Sequence, residues 1–307
     1  PATADRRALA AALRDAHTGP AAGPLAGVLS LLAVDESASP TDSVTDPVPA
    51  AVRATLALTQ ALADSAVPAR LWCVTRAAVA VTPTETPGVA GAALWGLGRT
   101  AALELPALWG GLADLPARPG PADWDRLATV LTGDEDQVAV RADGLHGRRL
   151  TPAPRPAPTT PYRPRGTVLI TGGTGALGGR LARRLAREGA GHLLLVGRRG
   201  RAAPGADALE AELLALGAKV TFAACDVGDR DALAAVLAAV PADAPLSAVF
   251  HAAGVPQLAP LTESGPDLVR DVYAGKVAGA LHLDELTRTL ELDAFVLYAS
   301  GAGVWGS

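Results

Sequence analysis

Gly173, Gly175 and Gly178 satisfy the pattern G-x-G-x-x-G, directly after a short apolar, β-branched run and at the start of a helix-like stretch. Glycines at that spacing permit a tight turn and a close backbone approach to a pyrophosphate. The helix N-terminus that follows offers unpaired N–H groups and a favourable dipole. A purely structural glycine turn is the alternative, and the strand–helix alternation downstream weighs against it. Twenty residues past Gly178, where an acidic group would hold the ribose 2′-hydroxyl of NAD, stand Arg198 and Arg199. A cationic pair there suits a 2′-phosphate through charge-assisted bonds, so NADPH is expected; a solvated loop is the competing reading in an arginine-rich chain. Asp226 suits two roles equally, an acceptor for an adenine amino group or a turn residue. In His251–Ala252–Ala253–Gly254, the small residues would let a nicotinamide ribose lie on the backbone, and His251 reads as a packed or hydrogen-bonded histidine.

The elements that must position these residues follow from periodicity. Strand-like runs at 166–170, 192–196, 219–224, 246–251 and 295–300 alternate with helical stretches. Leu177, Leu181 and Leu185 mark one helix ending near Gly189, and Leu209, Leu213 and Leu216 mark the next. Asp229 is placed to cap a third helix, over 229–240, and a fourth runs over 267–288. Strands alternating with helices imply parallel pairing by right-handed crossovers, so residues 166–307 read as a doubly wound α/β domain. Residues 151–165 hold six prolines in fifteen positions, an extended connector. Residues 1–150 read as a second α/β layer, with buried strands at 27–34 and 70–75 around a helix over 48–65, and with no dinucleotide-binding glycine turn.

Composition narrows the function classes. The chain has 307 residues, 49% hydrophobic and 19% charged, enough for a core. A net charge of −4 argues against nucleic-acid or anionic-membrane partners. No apolar run reaches the ~18 residues of a membrane helix, and Arg6, Arg7 and Arg14 break up any signal-peptide core, so a cytoplasmic location is expected. Cys73 and Cys225 are too few for a disulfide framework or a zinc site. The absence of methionine and the start at Pro1 suggest a piece of a longer chain. Only Lys219 and Lys276 among 27 basic residues are lysine.

Several stretches taken together resemble the short-chain dehydrogenase/reductase superfamily, and within it the ketoreductase domains of modular (type I) polyketide synthases. They are TGGTGALGG, LLLVGRRG, CDV, FHAAGV, VYAGKVAGALHLDELT and YASGAGVWGS, in that family's order. In the first half, LWCVTRAAV, ALWGLGRTAALELPALWGGLADLP and VAVRADGLHGRRL resemble its structural subdomain. The resemblance implies a truncated Rossmann-like subdomain without cofactor over 1–150. It also implies an NADPH-binding catalytic subdomain over 166–307 that reduces the β-keto group of a chain tethered to an acyl carrier protein, among neighbouring synthase domains. Cofactor contacts are implied at Gly172, Gly173, Thr174, Gly175, Leu177, Gly178, Arg198, Arg199, Asp226, Val227, Ala252, Ala253 and Gly254. Ala176, where classical reductases have glycine, and HAAG, in place of an asparagine-rich turn, are departures usual for this branch.

The family's catalytic serine maps onto Ser300 and its lysine onto Lys276, 24 residues earlier. An ammonium near a phenol stabilises the phenolate and assists proton delivery; without the resemblance, the two would read as a solvated helix lysine and a strand-end hydroxyl. The proton-donating tyrosine is expected about 13 residues after the serine and an asparagine four further on, beyond Ser307. Tyr162 lies in the connector, Tyr298 in a strand and Tyr273 three residues before Lys276, so none substitutes. A chain ending at Ser307 is therefore expected to be inactive. A non-reducing structural, docking or epimerase-only domain is the rival reading. The Leu-Asp-Asp signature of the D-hydroxyl group is replaced by Pro256, Gln257 and Leu258. Trp305 stands five residues after Ser300, as in the A-type group that makes the L-β-hydroxyl.

Overall fold

The computed structural model describes residues 5–19, 25–34, 47–153, 161–255 and 258–306. Residues 154–160 of the proline-rich connector, and Pro256 and Gln257 of the stereochemical reading, lie outside the described residues. The chain forms two compact units. Unit 1 draws on Pro1–Ala153, Leu258–Pro266 and Ser300–Ser307, and unit 2 on Pro154–Gln257 and Asp267–Ala299.

Unit 1 begins with α1 (Arg6–Thr18), capped by the Asp5 carboxylate accepting from Arg7 N–H at 2.9 Å. There follow β1 (Gly27–Ala33), α2 (Ala50–Ser65), β2 (Arg70–Arg76), α3 (Val89–Glu104), β3 (Trp109–Leu115), α4 (Pro121–Leu131), β4 (Gln137–Arg141) and β5 (Gly144–Gly147). The sheet runs β1-β2-β3-β4-β5, with β1 to β4 parallel and β5 antiparallel to β4. Val74, Ala113, Leu115, Leu127, Val130, Val138 and Val140 form a core between this sheet and α4. The strand expected at 70–75 is buried as anticipated. The one expected at 27–34 forms but is not buried: among the described residues it is an edge strand, and Leu29, Leu31 and Leu32 are 42–45% exposed. An apolar run does not reveal whether a strand has one neighbour or two.

Unit 2 comprises β6 (Thr167–Thr171), α5 (Ala176–Arg187), β7 (His192–Gly197), a 3₁₀ turn (Gly200–Ala202), α6 (Ala206–Ala215), β8 (Lys219–Ala224), α7 (Arg230–Ala238) and β9 (Leu246–His251). It continues with α8 (Pro266–Tyr273), a π-helical turn (Ala274–Ala278), α9 (Gly279–Thr287) and β10 (Ala294–Leu297). Its sheet is wholly parallel in the order β10-β9-β6-β7-β8, which is 3-2-1-4-5 counted from β6 and read from the β8 edge. This is the doubly wound arrangement, with the order reversing between β6 and β9. Alternate residues feed two cores: Val168, Ile170, Leu193 and Leu195 pack toward Ala182, Leu185 and Leu213, while Leu169, Leu194 and Val249 pack toward Leu233 and Leu283. Helices on both faces explain why these strands read as continuous apolar runs.

Three local expectations change. Leu177 is 60% exposed, and α5 buries Leu185 together with Gly178, Gly179, Ala182 and Ala186, four small residues that let the helix sit close on the sheet. The helix over 267–288 is interrupted by the π turn, which contains Lys276. The last strand stops at Leu297, so Tyr298 follows the strand rather than lying within it, although its N–H still donates to His251 O at 3.0 Å.

The sequence divides the chain once, at 151–165, whereas two later stretches pack within unit 1. The buried Gln60 amide donates to Leu261 O at 2.7 Å and Ser264 O at 2.9 Å, and the Glu104 carboxylate accepts from Leu261 N–H at 2.6 Å. A final helical turn, α10 (Ala302–Trp305), lies on α3, where Arg99 donates to Gly303 O. Gly306 sits against the Arg99 carbonyl at φ +84°, a left-handed conformation that side chains resist.

Candidate cofactor and active site

The glycine turn joins β6 to α5 at the reversal of strand order. Gly172 takes φ +63°, and a Cβ there would stand 3.0 Å from Ala252 O and Ala253 N. At Gly178 a Cβ would lie 2.2 Å from Gly172 O, and at Gly173 2.8 Å from Leu195 Cβ. The turn is therefore closed around backbone and cannot hold larger residues. Gly175 is the N-cap of α5 and Gly179 N–H is the donor to its carbonyl, so the N–H groups of residues 176–178 belong to the open first turn. Ala252, Ala253 and Gly254 follow β9 beside it, and Ala253 N–H donates to Thr171 Oγ1 at 3.0 Å. The residues fit a dinucleotide: a cradle that a Cβ would fill, bordered by small residues.

Arg198 and Arg199 follow β7 and are exposed. Among the described residues neither makes a side-chain hydrogen bond or ion pair, whereas Arg201 is held by Glu210 and Asp207. Asp226 closes a turn, its Oδ1 accepting from Gly228 N–H at 2.9 Å. Val227 is committed to the protein: its side chain is in the core and its carbonyl accepts from His282 Nδ1 at 3.1 Å.

Lys276, on the π turn, lies beside Gly254, where a Cβ would meet its Cε at 2.5 Å. Its ammonium donates to Tyr298 O at 3.0 Å, and partial burial pulls its pKa below the usual lysine value. A π turn within a helix is frequently a mark of a functional position. Behind it, His251 Nδ1 meets Thr171 Oγ1 at 2.8 Å and its Nε2 meets Lys276 O at 3.2 Å. Thr171 was not singled out from the sequence, where a threonine ending an apolar run carries no signal until its partners are known.

Unit 2 thus brings together the glycine turn, Ala252–Gly254 and Lys276. Ser300 and Trp305 fall in the stretch that packs within unit 1. Ser300 is exposed, and its hydroxyl accepts from Ala302 N–H at 3.1 Å at the start of α10. Trp305, 62% exposed, lays its indole over Gly301, where a Cβ would be 2.2 Å from the ring. Tyr162 packs edge-on to Phe250 in the unit 2 core, and burial pushes the half-buried Tyr273 hydroxyl above its usual range. A groove of about 650 Å³ on unit 1, bordered by Arg70, Trp72, Trp109 and Asp134, is lined by none of these residues. Among the described residues no cluster of three or more His, Cys, Asp or Glu could hold a metal ion, and no helix is long and apolar enough to cross a membrane.

Comparison with known proteins adds an independent line. Residues 166–307 match the model of the KR domain, and residues 1–150 match that of the Rossmann fold domain of the polyketide synthase extender module SpnB. The chain is 53% identical over 253 residues to the pikromycin polyketide synthase component PikAIII of Streptomyces venezuelae, covering 81% of this chain and 16% of that protein. It is 47% identical over 309 residues to the erythronolide synthase EryA3 of Saccharopolyspora erythraea, covering 100% of this chain and 9% of that protein. Among solved structures, an A1-type ketoreductase superposes with a TM-score of 0.90 at 47% identity, covering 99% of this chain and 64% of that one. A C2-type ketoreductase from a modular polyketide synthase superposes with a TM-score of 0.88 at 45% identity, covering 99% and 65%. The chain thus spans a small fraction of the curated synthases and about two thirds of the solved ketoreductases.

Proposed function

The chain belongs to the ketoreductase domain family of modular polyketide synthases, and we propose that it serves the NADPH-dependent reduction of a β-ketoacyl chain carried on an acyl carrier protein, with an L-β-hydroxyl product. The observation that carries this reading is the closed glycine turn at the reversal of strand order, with Lys276 on a π turn beside Gly254. When bound, the nicotinamide supplies the hydride.

The chain's own groups do the rest. The turn from Gly172 to Gly178, with Thr174 and Leu177 at its mouth, binds the pyrophosphate through the backbone at the N-terminus of α5. Arg198 and Arg199, which among the described residues make no side-chain hydrogen bond or ion pair, pair with the 2′-phosphate. Asp226 keeps its turn and offers an acceptor to the adenine amino group, while Val227 contributes through position rather than side-chain contact. Ala252, Ala253 and Gly254 give the nicotinamide ribose a flat backbone floor. Ser300 accepts from Ala302 N–H, so its own proton is available to polarise a ketone oxygen. Lys276 holds an ammonium that lowers the cost of a phenolate on the proton donor.

Stereochemistry follows from Trp305, an exposed indole five residues beyond the serine that can guide the phosphopantetheine arm from one side. The overall backbone carries no weight on this point, since A1-type and C2-type ketoreductases superpose about equally well. Incubating the complete ketoreductase with NADPH and a β-keto diketide thioester, followed by chiral chromatography, tests the whole reading. An L-hydroxyl product is expected. A D-hydroxyl product overturns the role of Trp305, and no reduction at all overturns the activity.

A further inference from the structure

We infer that His251 is a positioning residue for Lys276, acting as a neutral imidazole protonated on Nε2 that fixes the π turn and, through Tyr298, the direction of the ammonium. The inference rests on the reading that Lys276 serves the reaction.

The tautomer follows from counting hydrogens. Thr171 Oγ1 accepts the Ala253 N–H at 3.0 Å, and its single hydrogen remains to be donated. A hydroxyl can accept a second bond, so its 2.8 Å contact with His251 Nδ1 takes its direction from the other side of the ring. There the Nε2 partner at 3.2 Å is the carbonyl of Lys276, an acceptor only, so Nε2 carries the proton and Nδ1 of the neutral ring accepts the Thr171 hydrogen. Each bond in this row has a donor and an acceptor in one arrangement. Burial, and secondarily the nearby Lys276 charge, keep the ring below the ordinary histidine pKa.

The contacts also close on themselves. The His251 carbonyl accepts from Tyr298 N–H at 3.0 Å, the Tyr298 carbonyl accepts from the Lys276 ammonium at 3.0 Å, and the Lys276 carbonyl accepts from the His251 ring. One residue therefore holds both the backbone of the lysine and, one step removed, its charged end. The π turn is the element that needs such a clamp, because its widened hydrogen bonding leaves the carbonyls less firmly aligned than in an α-helix. A histidine whose only duty was to fill the core would not require this partner set.

The test uses the complete ketoreductase. Histidine ¹⁵N spectra of the unmodified protein are expected to show His251, identified by its loss in His251→Asn, protonated on Nε2; protonation on Nδ1 refutes the inference whatever the variants do. His251→Asn keeps a group near the Nδ1 position but loses reach to Lys276, and should lower kcat at least tenfold with KM for ketone and cofactor within about twofold. His251→Gln, whose amide reaches Lys276 O, should recover kcat to within about threefold. In ¹³Cε-lysine spectra the signal removed by Lys276→Arg should shift in His251→Asn and return in His251→Gln. If Lys276→Met abolishes turnover while His251→Asn retains it, the positioning role is wrong and the lysine's role stands. If Lys276→Met itself retains turnover, the failure lies in the catalytic reading.

Discussion

The two sheets are built alike and end differently. In unit 1, β1 to β5 lie in chain order, and among the described residues the order does not turn back. The carboxyl ends of its strands are closed by their own side chains. The fully buried Asp114 accepts from Thr75 Oγ1 at 2.7 Å, Ala78 N–H at 2.8 Å and the Arg141 guanidinium at 2.9 Å. Arg141 reaches on to Glu85, and Trp95 Nε1 donates to Thr75 at 2.9 Å. In unit 2 the order reverses between β6 and β9; these strands end in Thr171 and His251, hydrogen-bonded to each other without an ion pair, and glycine and alanine follow them. A reversal sends successive crossovers to opposite faces and opens a crevice at the strand ends. The lesson is that two sheets of similar layering differ at their carboxyl ends according to strand order and to whether charged side chains or small residues stand there.

The sharpest way to break this comparison is to open the closed end. Arg141→Leu leaves Asp114 buried without its charge partner and should cost about 3–5 kcal/mol of stability, read by denaturant unfolding, with cofactor affinity unchanged. A loss below ~1 kcal/mol would show that the network is not what holds unit 1 together.

The converse change fills the open end. Gly178→Ala places a methyl 2.2 Å from the Gly172 carbonyl, a backbone group that cannot swing away. NADPH affinity, followed by cofactor fluorescence, should fall at least ~100-fold, which is about 2.7 kcal/mol, while circular dichroism keeps its α/β form. Unchanged affinity would sink the cradle.

A smaller effect separates the cofactors. Arg198→Ala should weaken NADPH by roughly 10- to 100-fold, as expected for losing a charge-assisted bond worth about 1.5–3 kcal/mol, and leave NADH nearly untouched. Equal losses for both would remove the 2′-phosphate assignment.

The mildest test is acid. Burial holds His192 and His251, both in unit 2, below the ordinary value of 6.5, so the unfolded chain binds the extra protons. Their contribution is present above pH 6.5 and is lost as pH falls from there toward the folded-state values. In unit 1, Glu85 is held below its ordinary 4.5 by the Arg141 guanidinium and then by Val81 N–H, so its contribution is lost only at lower pH. Between pH 7 and 5.5, the amide protection factors, which already allow for the intrinsic slowing of exchange in acid, should therefore fall in β6, β7 and β9 before they do in β3 and β4. The opposite order would contradict this account.

Much of the site was legible as one-dimensional pattern because each feature is local. The glycine spacing, the arginine pair after the second strand of unit 2, and the Asp229 cap all depend on neighbours within a turn or two. Asp229 caps α7 as read, accepting from Asp231 and Ala232 N–H. Of the stripe Leu177, Leu181 and Leu185, Leu185 is buried while Leu177, read also as a cofactor contact, is exposed, because α5 meets its sheet largely through glycine and alanine. The strand at 27–34 failed as a buried one because apolarity is a property of the run, whereas burial depends on how many strands lie beside it.

The residues themselves determined the alternation of strands and helices, the glycine turn and the kinship that the motifs carry. The tertiary structure decided which strands became neighbours, and with that where the order reverses and which strand ends stay open. It also decided that His251, Lys276 and Tyr298 close a circuit of hydrogen bonds, with Thr171 joined to it through the His251 ring. Hydrogen bonds between strands depend on register and on the breadth of a helical turn, and neither quantity is written in the spacing of the residues along the chain.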